Sequence, residues 1–407
     1  MDRGSVRARD FAPVFARVLA RVLAGVLAPV LACGTLPFLA IGASAQIAVS
    51  ANDGKSVLIE GVTSVPASPV PDSATIIDLG ASPPKVIGEV KVPASIVGPP
   101  QSVAIAPDES FALVTGAYKV DPADPKKAVP DDKVSVIDLK ASPPKVLATV
   151  TAGKSPSGVS INRAGTLALV ANRMDGTVSV FTIANKTLTA AGKVEFGNDK
   201  SQPSHVAITP DGKTAVVTRD GDHRISLLAI DGSKVTYTKR DMVAAIRPYS
   251  LEIGPKGDVA VFGHQGGGTG DADTISVIDM KAKPPRVVDT ITVGQTPEGV
   301  SVSADGAYVA VTVMNGSNKP KNSPFLNDYG LLKIYAVKGT RLTHVTEARI
   351  GHWCQGAAWS RNNKTIVVQC AVEQELQVLA FNGRTLKATG KTIKVNGAPA
   401  GIRTADK

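Results

Sequence analysis

The chain has 407 residues, 43% hydrophobic but only 4% aromatic, with 38 Gly, 28 Pro and a formal net charge of +10. So few aromatics, and no dense Lys/Arg stripe, exclude a protein that stacks and reads nucleic-acid bases. After residue 45 no capped stripe of apolar residues at helical spacing occurs, which excludes a helical fold.

The first 45 residues stand apart. Arg3, Arg7, Arg9, Arg17 and Arg21 precede or flank an apolar stretch from Val18 to Ile41, which ends in Ala43-Ser44-Ala45. This order reads as a secretory signal peptide over residues 1–45, with the mature domain at 46–407. A retained anchor is the competing reading, but Gly25, Pro29, Gly34 and Pro37 interrupt the run. Lipidation at Cys33 is disfavoured because the following residues stay apolar. Cleavage leaves no stable membrane insertion and a net charge of roughly +7, a moderately basic surface suited to small anions or envelope components. The expected location is periplasmic or secreted, and a monomer is expected.

Next comes repetition. Six ungapped copies of one pattern follow: PQSVAIAPDESFALV from Pro100, PSGVSINRAGTLALV from Pro156, PSHVAITPDGKTAVV from Pro203, PYSLEIGPKGDVAVF from Pro248, PEGVSVSADGAYVAV from Pro297 and CQGAAWSRNNKTIVV from Cys354. A degraded first copy is read at Ala48 to Ile59, and PAGIRTADK at Pro399 begins an eighth first strand and stops. Each copy is an alternating strand, a tight turn and a second alternating strand. Third strands such as VSVID (Val134 to Asp138) and fourth strands follow, with near-identical turns DLGASPPKV, DLKASPPKV and DMKAKPPRV between them. Four strands in each of seven repeats predict an all-β, seven-bladed β-propeller of antiparallel blades.

TITVGQTPEGVSVSADGAYVAV and LVAN at Leu169 to Asn172 resemble the YVTN-type β-propeller repeat. That family is similar in turn to lactonase-like propellers and to propeller subunits of periplasmic amine dehydrogenases. The resemblance covers residues 46 to 400 and implies the fold. It matches no catalytic motif residue by residue.

Every long insertion falls between strands two and three: Val62 to Ser73, Ala117 to Asp132, His264 to Asp273 and Met314 to Tyr329. Elaboration of one face of a rigid ring is how repeat scaffolds carry a site. Strand one is innermost in a propeller, so its start and the end of strand two line the channel mouth. That register gives Asn172, Arg173, His205, Arg219, Asp220, His223, Arg247, Tyr249, His264, Glu298, His352 and Gln355 as binding candidates. His344 falls outside the set.

Three chemistries compete for this cluster. One is a metal site of His205, His264 and His352 with Asp220 or Glu298, which needs side chains to reach across a wide channel. Another is acid–base chemistry on a lactone, with Arg219 or Arg247 on a carboxylate and His205 or Glu298 moving a proton. The favoured reading is binding of a small anionic ligand or an envelope protein without turnover, with no cofactor. An electron-transfer partner ranks third as a function. Trp353 at the strand entrance is a candidate stacking platform, and Trp359 alternates inward.

Other signals fail. Gly153-Lys154-Ser155 lacks the upstream Gly of a phosphate loop, and Gly266 to Gly270 precede no helix. Asp271 and Asp273 are read as solvated, not as calcium ligands. No G-x-S-x-G, H-E-x-x-H or C-x-x-C-H occurs. Cys354 and Cys370 stand symmetrically about Asn362-Asn363, so a hairpin sets them opposite each other and a disulfide is expected.

Overall fold

The computed structural model describes residues 46–406, and its strands form seven four-stranded antiparallel sheets and one two-stranded hairpin. The signal-peptide expectation for residues 1–45 lies outside the described residues. First strands of neighbouring blades touch all the way round, from Val103–Ile105 in blade 2 to Cys354–Trp359 in blade 7 and back through Ala398–Thr404. This is the expected seven-bladed β-propeller. First strands such as Pro156–Ile161 are buried along their whole length, and fourth strands such as Lys145–Thr151 are mostly exposed. The core lies between blades, where Val, Ile, Leu and Ala of adjacent sheets interleave. Among the described residues no helix is long and apolar enough to cross a membrane.

Ring closure corrects one expectation. Ala48 to Ile59 is not a first-and-second-strand copy. Ile47–Asp53 is the second strand of blade 1, and Ala398–Thr404 from the other end of the chain is its first, with Ala48 opposite Thr404. The Asn52-Asp53-Gly54-Lys55 segment imitates a hairpin turn in sequence. Instead, Asp53 is buried, accepts from the Ile96 backbone N–H at 2.8 Å and pairs with Lys55 at 3.2 Å. The chain then departs into a small hairpin, Val57–Ile59 with Val62–Ser64.

The other insertions sit where expected, between strands two and three, and they touch. Lys319 Nζ donates to the Gly268 carbonyl at 2.5 Å, and a Cβ on Gly61 would lie 2.6 Å from Pro320 Cδ. Cys354 and Cys370 form a disulfide joining directly opposed residues of strands one and two in blade 7.

Candidate functional site

A repeated backbone device builds the mouth. The residue before strand one takes a left-handed conformation in five blades: Ser155, Gln202, Arg247, Thr296 and Trp353, with φ from +49 to +60°. Side chains other than Gly seldom accept this region, so neighbouring contacts must hold it. In each case the carbonyl of that residue accepts from the residue just past strand two. Arg173 N–H donates to Ser155, Asp220 to Gln202 and Gln265 to Arg247, at 3.0, 3.2 and 3.0 Å. The residue past strand two is thereby fixed beside the start of strand one, and both face the mouth.

Six of the twelve sequence candidates meet there. Arg173 donates to Asp220 at 2.9 Å and to Ser204 Oγ at 2.6 Å, with its guanidinium 5.5 Å from the Tyr249 ring. Arg247 approaches the same Asp220 oxygen at 3.8 Å and donates to Gln265 Oε1 at 2.7 Å. Gln265 Nε2 donates to Glu298 at 2.8 Å. Gln355 donates to the other Glu298 oxygen at 3.1 Å and accepts from the Trp353 indole at 3.0 Å. Asp220, Arg247, Tyr249, Glu298 and Gln355 thus form one polar chain with Arg173 across blades 3 to 7.

Electrostatics sharpen the site. Glu298 is 2% exposed, and burial pushes its carboxyl up to about 7 against the opposing pull of Gln265, Arg247 and Arg173. The phenol of Tyr249 is pushed up by burial and then by Glu298, so it stays protonated. Arg247 keeps a 40% exposed side chain, giving the cluster a cationic contact with solvent. Asp220 Oδ1 is buried without a partner, although its other oxygen serves both arginines.

The remaining candidates point elsewhere. Asn172 donates to Thr177 and Ser179 at 3.0 and 2.9 Å, pinning strand two to strand three of blade 3. Arg219 pairs with Asp222, donates to Ser226 at 3.0 Å and lies over the Phe196 ring, away from the mouth. His264 turns into blade 5 against Ser276 at 2.9 Å, and burial lowers it to about 4. The three are strand-end residues, and side chains alternate along a strand, so the next residues, Arg173, Asp220 and Gln265, reach the site instead. His223 Nδ1 accepts from the Arg247 backbone N–H at 3.2 Å and supports the mouth from outside it. His352 lies at the rim between Glu373 and Asp328, at 2.5 and 2.8 Å, which together raise it.

His205 faces the opposite end of the channel, lining a cavity with Glu252 and Arg403. Alternation again decides: Ser204, one residue earlier, holds the mouth position. With His205, His264 and His352 so separated, no group of three or more His, Cys, Asp or Glu among the described residues is placed to hold a metal. Trp353, expected as an open stacking platform, is instead buried among Ile96, Met314, Ala398 and Ala400, holding Gln355. Gln265 and Ser204 were missed. Applying the register of Asp220 to blade 5, and of Tyr249 to blade 4, finds both.

A family model described as "Lactonase, 7-bladed beta-propeller" matches residues 119–241. No curated protein matches this sequence. Among solved structures, the chain is similar to a Bacteroides fragilis protein described as a candidate 6-phosphogluconolactonase. The two are 18% identical over 89% of this chain and 98% of that one, with a TM-score of 0.67. It is also similar to a periplasmic gluconolactonase of Pseudomonas aeruginosa, 15% identical over 89% and 99%, TM-score 0.64. The hydrazine synthase of Kuenenia stuttgartiensis shares the fold at 21% identity over 72% and 79%, TM-score 0.54. At such identities the likeness is one of fold, a seven-bladed propeller of the kind on which lactonases occur.

Proposed function

We propose that the chain is a lactone hydrolase acting at the channel mouth on a small anionic lactone. The observation that carries this reading is Glu298, buried, near neutral and bonded through both carboxylate oxygens beside two guanidinium groups. A carboxyl whose pKa lies near the working pH serves best as a general base. Glu298 takes a proton from water, and the water oxygen bonds to the lactone carbonyl carbon. The resulting oxyanion collapses, the ring C–O bond breaks, and the ring oxygen takes the proton from Glu298. One water is consumed and a hydroxy acid leaves. With Glu298 ionised, Arg173 and Arg247 stand against the carboxylates of Asp220 and Glu298, and the partly exposed Arg247 is the cation placed to meet the substrate's anionic group.

Binding without turnover, which the sequence alone favours, is the weaker reading. The lactonase match and the descriptions of two structural neighbours support hydrolysis. The buried disulfide supports an extracytoplasmic location. Acid release from glucono-δ-lactone and from a phosphorylated or carboxylated lactone, followed at constant pH, tests the reading. The anionic lactones should turn over with lower KM. No acceleration over buffer for any lactone would reject it.

A further inference from the structure

At the turn end of the channel lies a cavity of about 310 Å³, lined by His205, Glu252, Arg403 and Trp359 among others. It is separated from the Glu298 cluster. Between the two, Gln101 of blade 2 reaches across the axis and donates to the Val300 carbonyl of blade 6 at 3.2 Å. The size falls at the lower end of ligand pockets.

Its polar groups are costly to bury. His205 is 2% exposed and lines the chamber, with its unpartnered Nδ1 packed against Gly158. Burial, then Arg403, holds its imidazole neutral, so it can exchange hydrogen bonds as donor or acceptor. Arg403 pairs with Glu252 at 3.3 Å and with Asp406 at 2.7 Å. Glu252 also accepts from the Val302 N–H at 3.0 Å, and burial pushes it up to about 7. A buried ion pair is weak support for stability alone. Three cations, Arg163, Arg361 and Arg403, face three carboxyls, Glu109, Glu252 and Asp406, so the lining's net charge lies between zero and one positive as Glu252 titrates. The rim is drawn in by Arg163, which donates to the Pro255 carbonyl two blades away at 2.7 Å.

We propose that this chamber is a second binding site, for an uncharged polyol of monosaccharide size. So small a net charge gives an ion little attraction. The adjacent guanidinium and carboxylate offer donor and acceptor side by side, which vicinal hydroxyls match. His205 supplies a third polar contact, and Val103, Val302 and Trp359 cover the ring's C–H faces.

The chain's two tryptophans lie at opposite ends of the channel, which gives each a separate signal. In Trp353→Phe protein, only Trp359 reports. Titration with D-glucose and with myo-inositol should give a saturable change in Trp359 fluorescence. Maltotriose in place of glucose separates a free sugar from the end of a glycan. Saturation by the trimer assigns a glycan end, and saturation by the monomer alone assigns the free sugar. Ala207→Leu, which fills the chamber, should weaken binding at least tenfold, and Glu298→Gln, at the mouth, should leave it unchanged. Thermal unfolding checks each fold. If Ala207→Leu does not fold, Glu252→Gln takes its place with the same expectation. No saturable response to any of the three probes, or binding that survives the chamber variant or vanishes with Glu298→Gln, overturns the proposal. Loss of lactone hydrolysis in Glu298→Gln bears on the mouth alone.

Discussion

Gln265 donates to Glu298 at 2.8 Å while accepting from Arg247 at 2.7 Å, so one amide couples the buried carboxyl to the exposed guanidinium. That hydrogen bond favours the charged form of Glu298 and opposes the burial that raises it. Gln265→Leu removes it. The acid limb of kcat/KM against pH should then move upward by about one pH unit. Rates at pH 7 fall and recover toward pH 8.5. A pH–rate profile that keeps its acid limb in place would separate Gln265 from the chemistry.

The two arginines should fail differently. Arg247 is partly exposed, so Arg247→Gln is expected to raise KM tenfold or more for an anionic lactone with little change in stability. Arg173 is the close partner of a buried carboxylate, and Arg173→Gln leaves Asp220 with only the more distant Arg247, at 3.8 Å. Breaking a buried pair from one side costs about 3–5 kcal/mol. Denaturation together with Michaelis kinetics distinguishes the two outcomes.

Glu298 also sets a pH dependence of stability. Its folded pKa, about 7, lies above the unfolded value of 4.5. Between these values the native state holds a proton that the unfolded state has lost, so this group's contribution is full below pH 4.5 and falls as pH rises through 7. Glu298→Gln removes that loss. The variant should gain on the wild type from pH 5 to pH 8, by on the order of 2 kcal/mol. Glu252 titrates over the same range, but in both proteins, and cancels in the difference. Urea midpoints at the two pH values measure it, and a constant difference would contradict the burial of the charge.

Ring closure rests on the far end of the chain. Truncation after Val395 removes the first strand of blade 1 and leaves Ile47–Asp53 paired on one edge alone, with Ser73–Asp78. Cooperative unfolding should be lost. Trimming the insertion between residues 319 and 326 should leave the unfolding midpoint nearly unchanged. Such trimming must spare Met314, part of a buried cluster, and Ser317, whose Oγ accepts from the Trp353 N–H at 3.1 Å.

The fold was legible because each blade repeats its own turn chemistry and its own alternation. The turn residues and the Cys354–Cys370 symmetry were local signals, and the structure follows them. The closure of blade 1 was not legible, because its two strands lie at opposite ends of the chain and NDGK looks like a hairpin turn. At the mouth, six of the candidates lie together and others stand one strand position away. Asn172, Arg219 and His264 stand one residue short of Arg173, Asp220 and Gln265, and in a strand one residue reverses the face. His205 fails by the same single step from Ser204. Whether a polar residue at a strand end turns inward depends on the left-handed residue that precedes strand one, and non-Gly side chains do not announce that conformation.

The proposed role of Glu298, as general base of a lactone hydrolase at the channel mouth, is open to direct test. The direct measurement is the rate of hydrolysis of 6-phosphogluconolactone by wild type and by Glu298→Gln, from pH 5 to pH 9, with unfolding curves for both. The wild type should accelerate hydrolysis with an acid limb near pH 7, and the folded variant should be slower by about 10²- to 10⁴-fold. A folded Glu298→Gln protein as active as the wild type would contradict the claim.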